Sequence, residues 1–335
     1  MSLPAAKSRL ALTDLPPVTR RYFFLGALSL AAGGAFGFRN GSLIRRPAVS
    51  VTSVPDYGAP LDSIIRRIFD DHRLDCKDKH VVIKPNLVEF SSGSPINTHP
   101  ALVKAVFDEA LARGASRVTI AEGPGHRRGT LDLADAAGYF GLIPRFEDHF
   151  VDLNLDDVTQ TAIPRPQSKL AHIYLPKTVL ACDLLISLAK MKTHHWTGAT
   201  LSMKNLFGIV PGSVYGWPKN MLHWAGIPEC IVDLQSLVPK QFALVDGIVA
   251  MEGNGPILGT PKPAGVVVAG RSPVTVDTVC CQLMGLNPER VSYLRLASRL
   301  DRHFAAPVEI GEPVASRTSP FAPPPGMDDL RTRAL

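Results

Sequence analysis

The sequence predicts an α/β fold: a central, mostly parallel sheet with helices on both faces, and a lid or small subdomain around residues 195–236. Three observations carry this. Short apolar runs alternate with segments of helical spacing. Several runs, such as Leu184–Leu188, are apolar throughout, which suits strands covered on both faces. Polar residues gather directly after the runs, where open parallel sheets bind ligands.

Each element follows in order. Ala48–Val54 alternates apolar and polar residues and reads as a strand. Leu61–Phe69 has helical spacing. Val81–Lys84 is a strand ended by Pro85. Pro100–Arg113 is a helix, with Thr98 as cap and Gly114 as stop. Val118–Ala121 is a strand, and Leu131–Ala137 a helix ended by Gly138. Residues 154–171 are polar and irregular, as expected of a surface excursion. Leu184–Leu188, Phe242–Val245 and Gly265–Ala269 are strands. Val274–Met284 is a helix after Ser272-Pro273. Val210–Trp224, rich in Gly, Pro and Trp, reads as a long ordered loop or lid. The expected division is a leader over 1–46, an α/β domain over 47–312 and a Pro-rich tail over 313–335 whose last dozen residues are disordered.

The 335 residues carry a formal charge of +6, which invites a nucleic-acid reading. Position removes it. Residues 1–46 hold seven of the 36 basic residues and one of the 30 acidic ones, so the rest of the chain is formally neutral. A neutral body has no general footprint for DNA or anionic lipid. The excess belongs to the leader. Thr19-Arg-Arg-Tyr-Phe-Phe-Leu25 looks like a twin-arginine export signal, followed by a moderately apolar stretch, Tyr22–Phe38. The expectation is an exported or periplasmic protein that meets the twin-arginine machinery. Arg39, Arg45 and Arg46 favour a retained leader, the body's sole membrane link. Five cysteines, none in a C-x-x-C pair, disfavour an iron–sulfur cluster, a Cys₄ zinc site and a disulfide framework.

The candidate site centres on the 16 residues Lys190–Asn205, which combine three lysines, adjacent histidines, hydroxyls and an asparagine. Buried polar groups need partners, so this mixture suits an anion or metal site better than a core. Similar residues follow other strands: Lys84 and Asn86; Glu122, Gly123, Gly125 and His126; Asp246 and Glu252; Arg271 and Asp277. Five strand ends are thus expected to converge on one edge. Lys84, Asn86, Lys190, Lys204 and Asn205 are candidate ligand-binding residues, with the lysines as a cationic clamp. His194, His126 and Lys192 are candidate catalytic groups. Glu122, Asp246 and Glu252 are candidate metal ligands, a metal being the one cofactor these residues suggest. Of His194 and His195, one is expected to face the site. Asp246-Gly247 also reads as a plain turn, and Asp277 as a cap or a lysine's partner. Trp217 and Trp224 read as loop packing.

The order Lys84-Pro-Asn-Leu87, Thr98-His-Pro100, Gly114–Glu122, Lys192-Thr-His194, Met203-Lys-Asn-Leu-Phe-Gly208, Asp246-Gly247, Gly253-Asn-Gly-Pro256 and Asp277 resembles the family catalogued as domain of unknown function 362. The resemblance runs over about residues 50–312. It implies organisation rather than a reaction. Relatives with a ferredoxin-like insert carry cysteine clusters that this chain lacks. Gly125-His126-Arg127 also resembles an element of nickel-dependent lactate racemases, α/β enzymes whose nickel-pincer nucleotide is surrounded by histidine and lysine. Three functional classes follow: an exported enzyme or cofactor-dependent protein for a small anion, a non-catalytic envelope binding or assembly protein, and a distant relative of those racemases.

Overall fold

The computed structural model describes residues 46–125, 129–238, 240–300 and 307–331. The leader motif and His126 lie outside the described residues. The described residues, from Arg46 onward, form one compact unit. No described helix is long and apolar enough to cross a membrane.

A ten-stranded sheet forms the centre. Its main path runs β12 (Val308–Gly311), β1 (Ala48–Ser53), β11 (Val266–Gly270), β9 (Gln241–Glu252), β7 (Leu184–His194), β2 (His80–Lys84), β3 (Arg117–Glu122), β4 (Phe150–Asp152). Strands β4, β3, β2, β7 and β9 pair in parallel, while β11 is antiparallel to both β9 and β1. Short strands β8 (Gly198–Thr200) and β10 (Thr260–Lys262) fold back on β7 and β9. The fold class is therefore the expected one.

Period-two alternation divides the strands between two cores. Val81, Ile83, Ile120, Ile186, Leu188 and Leu244 pack beneath the helices Leu61–Asp71 and Pro100–Ala112. Val82, Ala121, Leu185, Ala189, Val245 and Val268 face the helices Ile227–Leu237, Pro273–Leu283 and Ser292–Leu300. Both faces are covered, which is why the central strands read as continuous apolar runs.

Several boundaries differ from expectation, each for a physical reason. β7 continues to His194, so Lys190–His194 is strand rather than loop; every residue of it is buried. Its polar residues are satisfied by side-chain partners, which lets the ladder continue where hydropathy stops. β9 likewise runs through Asp246-Gly247, which is no turn; the register between β7 and β9 shifts between Lys190 and Lys192. The helix at Pro100 is capped by His99, whose Nδ1 accepts from Ala101 N at 3.2 Å, and not by Thr98. Residues 158–176 contain a two-stranded antiparallel hairpin, β5 (Val158–Ala162) with β6 (His172–Pro176). Just before the expected tail, β12 pairs with β1; within the tail, Phe321 N donates to Met284 O at 2.8 Å, and Phe321 and Leu330 are buried. Its last dozen residues are described as far as Arg331, so expected disorder gives way to packing over that stretch.

Candidate functional site: a lysine-rich cavity at the strand ends

A cavity of about 760 Å³ opens beyond the carboxyl ends of β2, β3, β7 and β9. Asn86–Val88 line it after β2, and Glu122, Gly123 and Gly125 after β3. Lys192 and His194 come from β7, and Asn254 and Pro256–Leu258 follow β9. Four strand ends converge, not five. β11 runs the other way, so Arg271 sits at the opposite edge, donating to the carbonyls of His72 and Arg73. Asp277 returns to the site differently. Its carboxylate accepts from Ser202 N (2.8 Å), Ser202 Oγ (2.6 Å) and Met203 N (2.9 Å), holding the start of the short helix Ser202–Asn205 that carries Lys204. Burial pushes Asp277 up to about 7, against the pull of those donors.

The lysines separate when their N–H donors are counted, three to each ammonium. Lys84 spends all three inside the protein: on Glu122 Oε2 (2.7 Å), Pro85 O (2.9 Å) and Asn205 Oδ1 (3.1 Å). Asn205 Nδ2 donates to Lys84 O and Ser187 Oγ. Lys84 therefore braces the floor with no N–H left for a ligand, against its expected ligand-binding role, whereas Asn205 lines the cavity and keeps the second lone pair of Oδ1. Lys190 pairs with Asp246 at 2.9 Å and Tyr57 Oη at 2.8 Å, and does not line the cavity. Asp246 also accepts from Tyr57 Oη, His99 N and Ile248 N. This buried network locks the β9 bulge to the Thr98-His-Pro turn.

Three other lysines line the cavity with no carboxylate partner. Lys192 gives one hydrogen bond, to Ile96 O at 2.8 Å. Lys219 gives two, to Gly123 O at 2.7 Å and Phe207 O at 2.9 Å. Lys204 has no hydrogen-bonding partner among the described residues; its Nζ sits 4.4 Å from the Phe207 ring centroid. Desolvation and neighbouring ammonium groups depress all three: Lys192 strongly, Lys204 to about 8 and Lys219 to about 7. Lys219 also holds a left-handed backbone, φ +69°, which is uncommon for a non-glycine residue.

The histidines have definable tautomers. His194 Nδ1 accepts from Trp196 N at 3.1 Å, so Nε2 bears the proton in its neutral ring. Burial and Lys204 hold it well below the ordinary histidine value, hence neutral. His195 Nδ1 lies 2.8 Å from Gly255 O and His223 Nδ1 lies 3.0 Å from Lys219 O, so these rings carry hydrogen on Nδ1 and leave Nε2 as acceptor. Both His194 and His195 line the cavity, against the expectation of one. Asn86 Oδ1 and Thr200 Oγ1 are buried in the same wall with no hydrogen-bond partner.

The expected metal triad does not assemble. Glu122 is held by Lys84, Leu87 N and Gly123 N. Asp246 belongs to the separate Lys190 network. Glu252 is outside the cavity lining, accepting from Ala322 N at 2.8 Å beside Lys262. Among the described residues no group of three or more His, Cys, Asp or Glu is placed to hold a metal.

Sequence reasoning missed Lys219, His223 and Thr200. The available signal was the Gly/Pro/Trp-rich stretch around Lys219, which marks an ordered loop without saying where its lysine points.

A family profile described as Domain of unknown function (DUF362) matches residues 81–282. The chain belongs to this family. The matched region contains Lys84, Glu122, Lys192, His194, Lys204 and Lys219, and so includes most of the DUF362 cavity. A thylakoid-associated protein of Synechocystis sp. is 27% identical over 228 residues, covering 66% of this chain and 67% of that protein. The lactate racemase apoprotein of Thermoanaerobacterium thermosaccharolyticum is similar with a TM-score of 0.44 and 14% identity, over 71% of this chain and 57% of the racemase. A Thermotoga maritima protein gives 0.40 and 14%, over 71% and 58%. The chain thus spans less than two thirds of either solved structure.

Proposed function

We propose that this protein is an enzyme that binds a small organic anion in the strand-end cavity and moves protons on it. The observation that carries the reading is that Lys192, Lys204 and Lys219 line one cavity without a carboxylate partner. Clustered, desolvated ammonium groups are costly, and a bound anion offsets the cost by restoring their charge. Lys219 retains one free N–H and Lys192 two, enough to hold a carboxylate or phosphate oxygen. His194 Nε2–H is a proton donor, and Nε2 of His223 or His195 an acceptor. Inward-facing Lys192 and His194 favour an enzyme over a shallow envelope binder. A volume of about 760 Å³ is within the ordinary range for small-ligand sites.

Thermal-shift and calorimetric titration with carboxylates and phosphates tests this. Binding that weakens on the order of tenfold or more in Lys219→Met supports it. Unchanged anion binding in Lys192→Met, Lys204→Met and Lys219→Met sinks it. Export is part of the same proposal, supported by Arg20-Arg21 and the neutral body. Cell fractionation of wild type against an Arg20→Lys, Arg21→Lys variant tests it, and an unchanged distribution would count against it.

A further inference from the structure

Donor counting singles out one amine. Lys84 has every N–H engaged, Lys219 two and Lys192 one, all on oxygens. Lys204 alone among these four has its Nζ in the cavity with no oxygen in hydrogen-bond reach among the described residues, set against the face of Phe207. No oxygen of the described residues anchors its protons, so losing one breaks no hydrogen bond within them, and the amine that remains has a lone pair to give. Its surroundings match that use. Lys204 Nζ and the His223 ring both lie against Phe207, at 4.4 Å and 5.9 Å from its ring centroid, and His194 lines the same cavity. The unpaired Asn86 Oδ1 and Thr200 Oγ1 share the wall. The apolar side chains of Phe207 and Ile257 line the same cavity.

We infer that Lys204 is an amine nucleophile that forms an imine with the aldehyde or keto group of an anionic substrate. The inference rests on the anion-site reading, with Lys219 and Lys192 holding the negative group. The step balances within the cavity. Neutral Nζ attacks the carbonyl carbon and the C–N bond forms. The C=O π pair moves to oxygen, where His194 Nε2–H donates a hydrogen bond, and the attacking nitrogen becomes cationic. Nε2 of His223 takes one proton from that nitrogen and passes it to the oxygen, giving a neutral carbinolamine. The remaining N–H proton passes by the same route to the hydroxyl, which leaves as water with C–O cleavage as C=N forms. Amine and carbonyl become imine and water, and both imidazoles return to their starting state. With Lys204 lowered to about 8, on the order of a tenth of it is neutral at pH 7, far above the fraction for a solvent-exposed lysine.

The test uses the full chain, glyoxylate as an anionic aldehyde probe and malonate as a carbonyl-free control. Borohydride reduction followed by peptide mapping is expected to place the adduct on Lys204, formed about tenfold or more faster than on surface lysines. Lys204→Arg keeps the charge but offers no amine to condense, so it is expected to lose the adduct. No adduct, an adduct on Lys219, or even labelling of surface lysines overturns the inference. Malonate binding separates the two claims. A wild type that binds malonate but traps no glyoxylate loses only the imine, whereas one that binds no anion loses the anion-site reading as well.

Discussion

Lys84 Nζ lies 2.7 Å from Glu122 Oε2, and both side chains are fully buried where β2 and β3 end. Both are engaged within the protein: Glu122 also accepts from Leu87 N and Gly123 N, and Lys84 donates to Asn205 Oδ1. The pair ties four segments into the cavity floor. Breaking a buried pair leaves one uncompensated charge, at a cost of about 3–5 kcal/mol. Lys84→Met should lose that much stability in urea unfolding, and the double variant Lys84→Met, Glu122→Gln should recover part of it. A single variant as stable as wild type would show the pair to be dispensable.

Gly208 closes the Met203–Gly208 motif against this pair. A Cβ there would run into Glu122 Oε1 and Lys84 Nζ. Gly208→Ala should therefore destabilise by roughly 1–3 kcal/mol through overpacking and weaken anion binding through the displaced floor. Differential scanning calorimetry checks the first effect and titration the second. Gly93→Ala, with nothing within 4 Å of its Cβ but φ +76°, is the control for backbone strain alone.

Lysines near 7 and 8 make the cavity sensitive to pH. The sign follows from the lowered folded values. Below about 7 both folded and unfolded lysines are charged, and the folded state bears the whole burial penalty. As pH rises toward the unfolded value of about 10.4, folded Lys219 and Lys204 stay neutral while unfolded ones remain charged, so the penalty disappears. The free protein should gain stability across that window. Anion affinity should move oppositely, strong below 7 and falling as pH passes 8. Melting temperature against pH, with and without saturating anion, gives both slopes; coincident curves would contradict the prediction.

Asp277 sits at distance from the cavity chemistry but governs the turn that carries Lys204. All three of its hydrogen-bond partners are donors. In Asp277→Asn one acceptor oxygen becomes an NH₂ facing a donor. A cost of about 1–3 kcal/mol is expected from the unsatisfied group. Anion binding should fall along with stability. Asp277→Asn with wild-type unfolding and wild-type binding would remove this positioning role.

The local pattern reached the architecture well because strands such as Leu184–Leu188 announce burial on both faces by being apolar throughout. It stopped short at Lys190–His194, where the ladder continues through charged residues. Hydropathy has no means of showing that Lys190 meets Asp246, 56 residues away in the chain. The same gap explains the candidate site. Lys192, His194 and Lys204 were legible as chemistry-bearing residues beside a strand end. Their sorting into braces, anchors and a free amine was not, because it depends on which oxygens each ammonium meets.

By itself the sequence determined the α/β class, the strand-end location of the polar residues and the neutrality of the body. Those follow from periodicity and composition, which are local. The tertiary structure decided that β11 runs antiparallel and removes Arg271 from the site, that Glu252 faces the tail, and that Lys219 and His223 join the cavity. It also decided that Lys84 spends every N–H on the fold. The reason is one of partnership: a buried charge acquires its role from the groups that satisfy it, and those groups arrive from distant parts of the chain only when the sheet assembles.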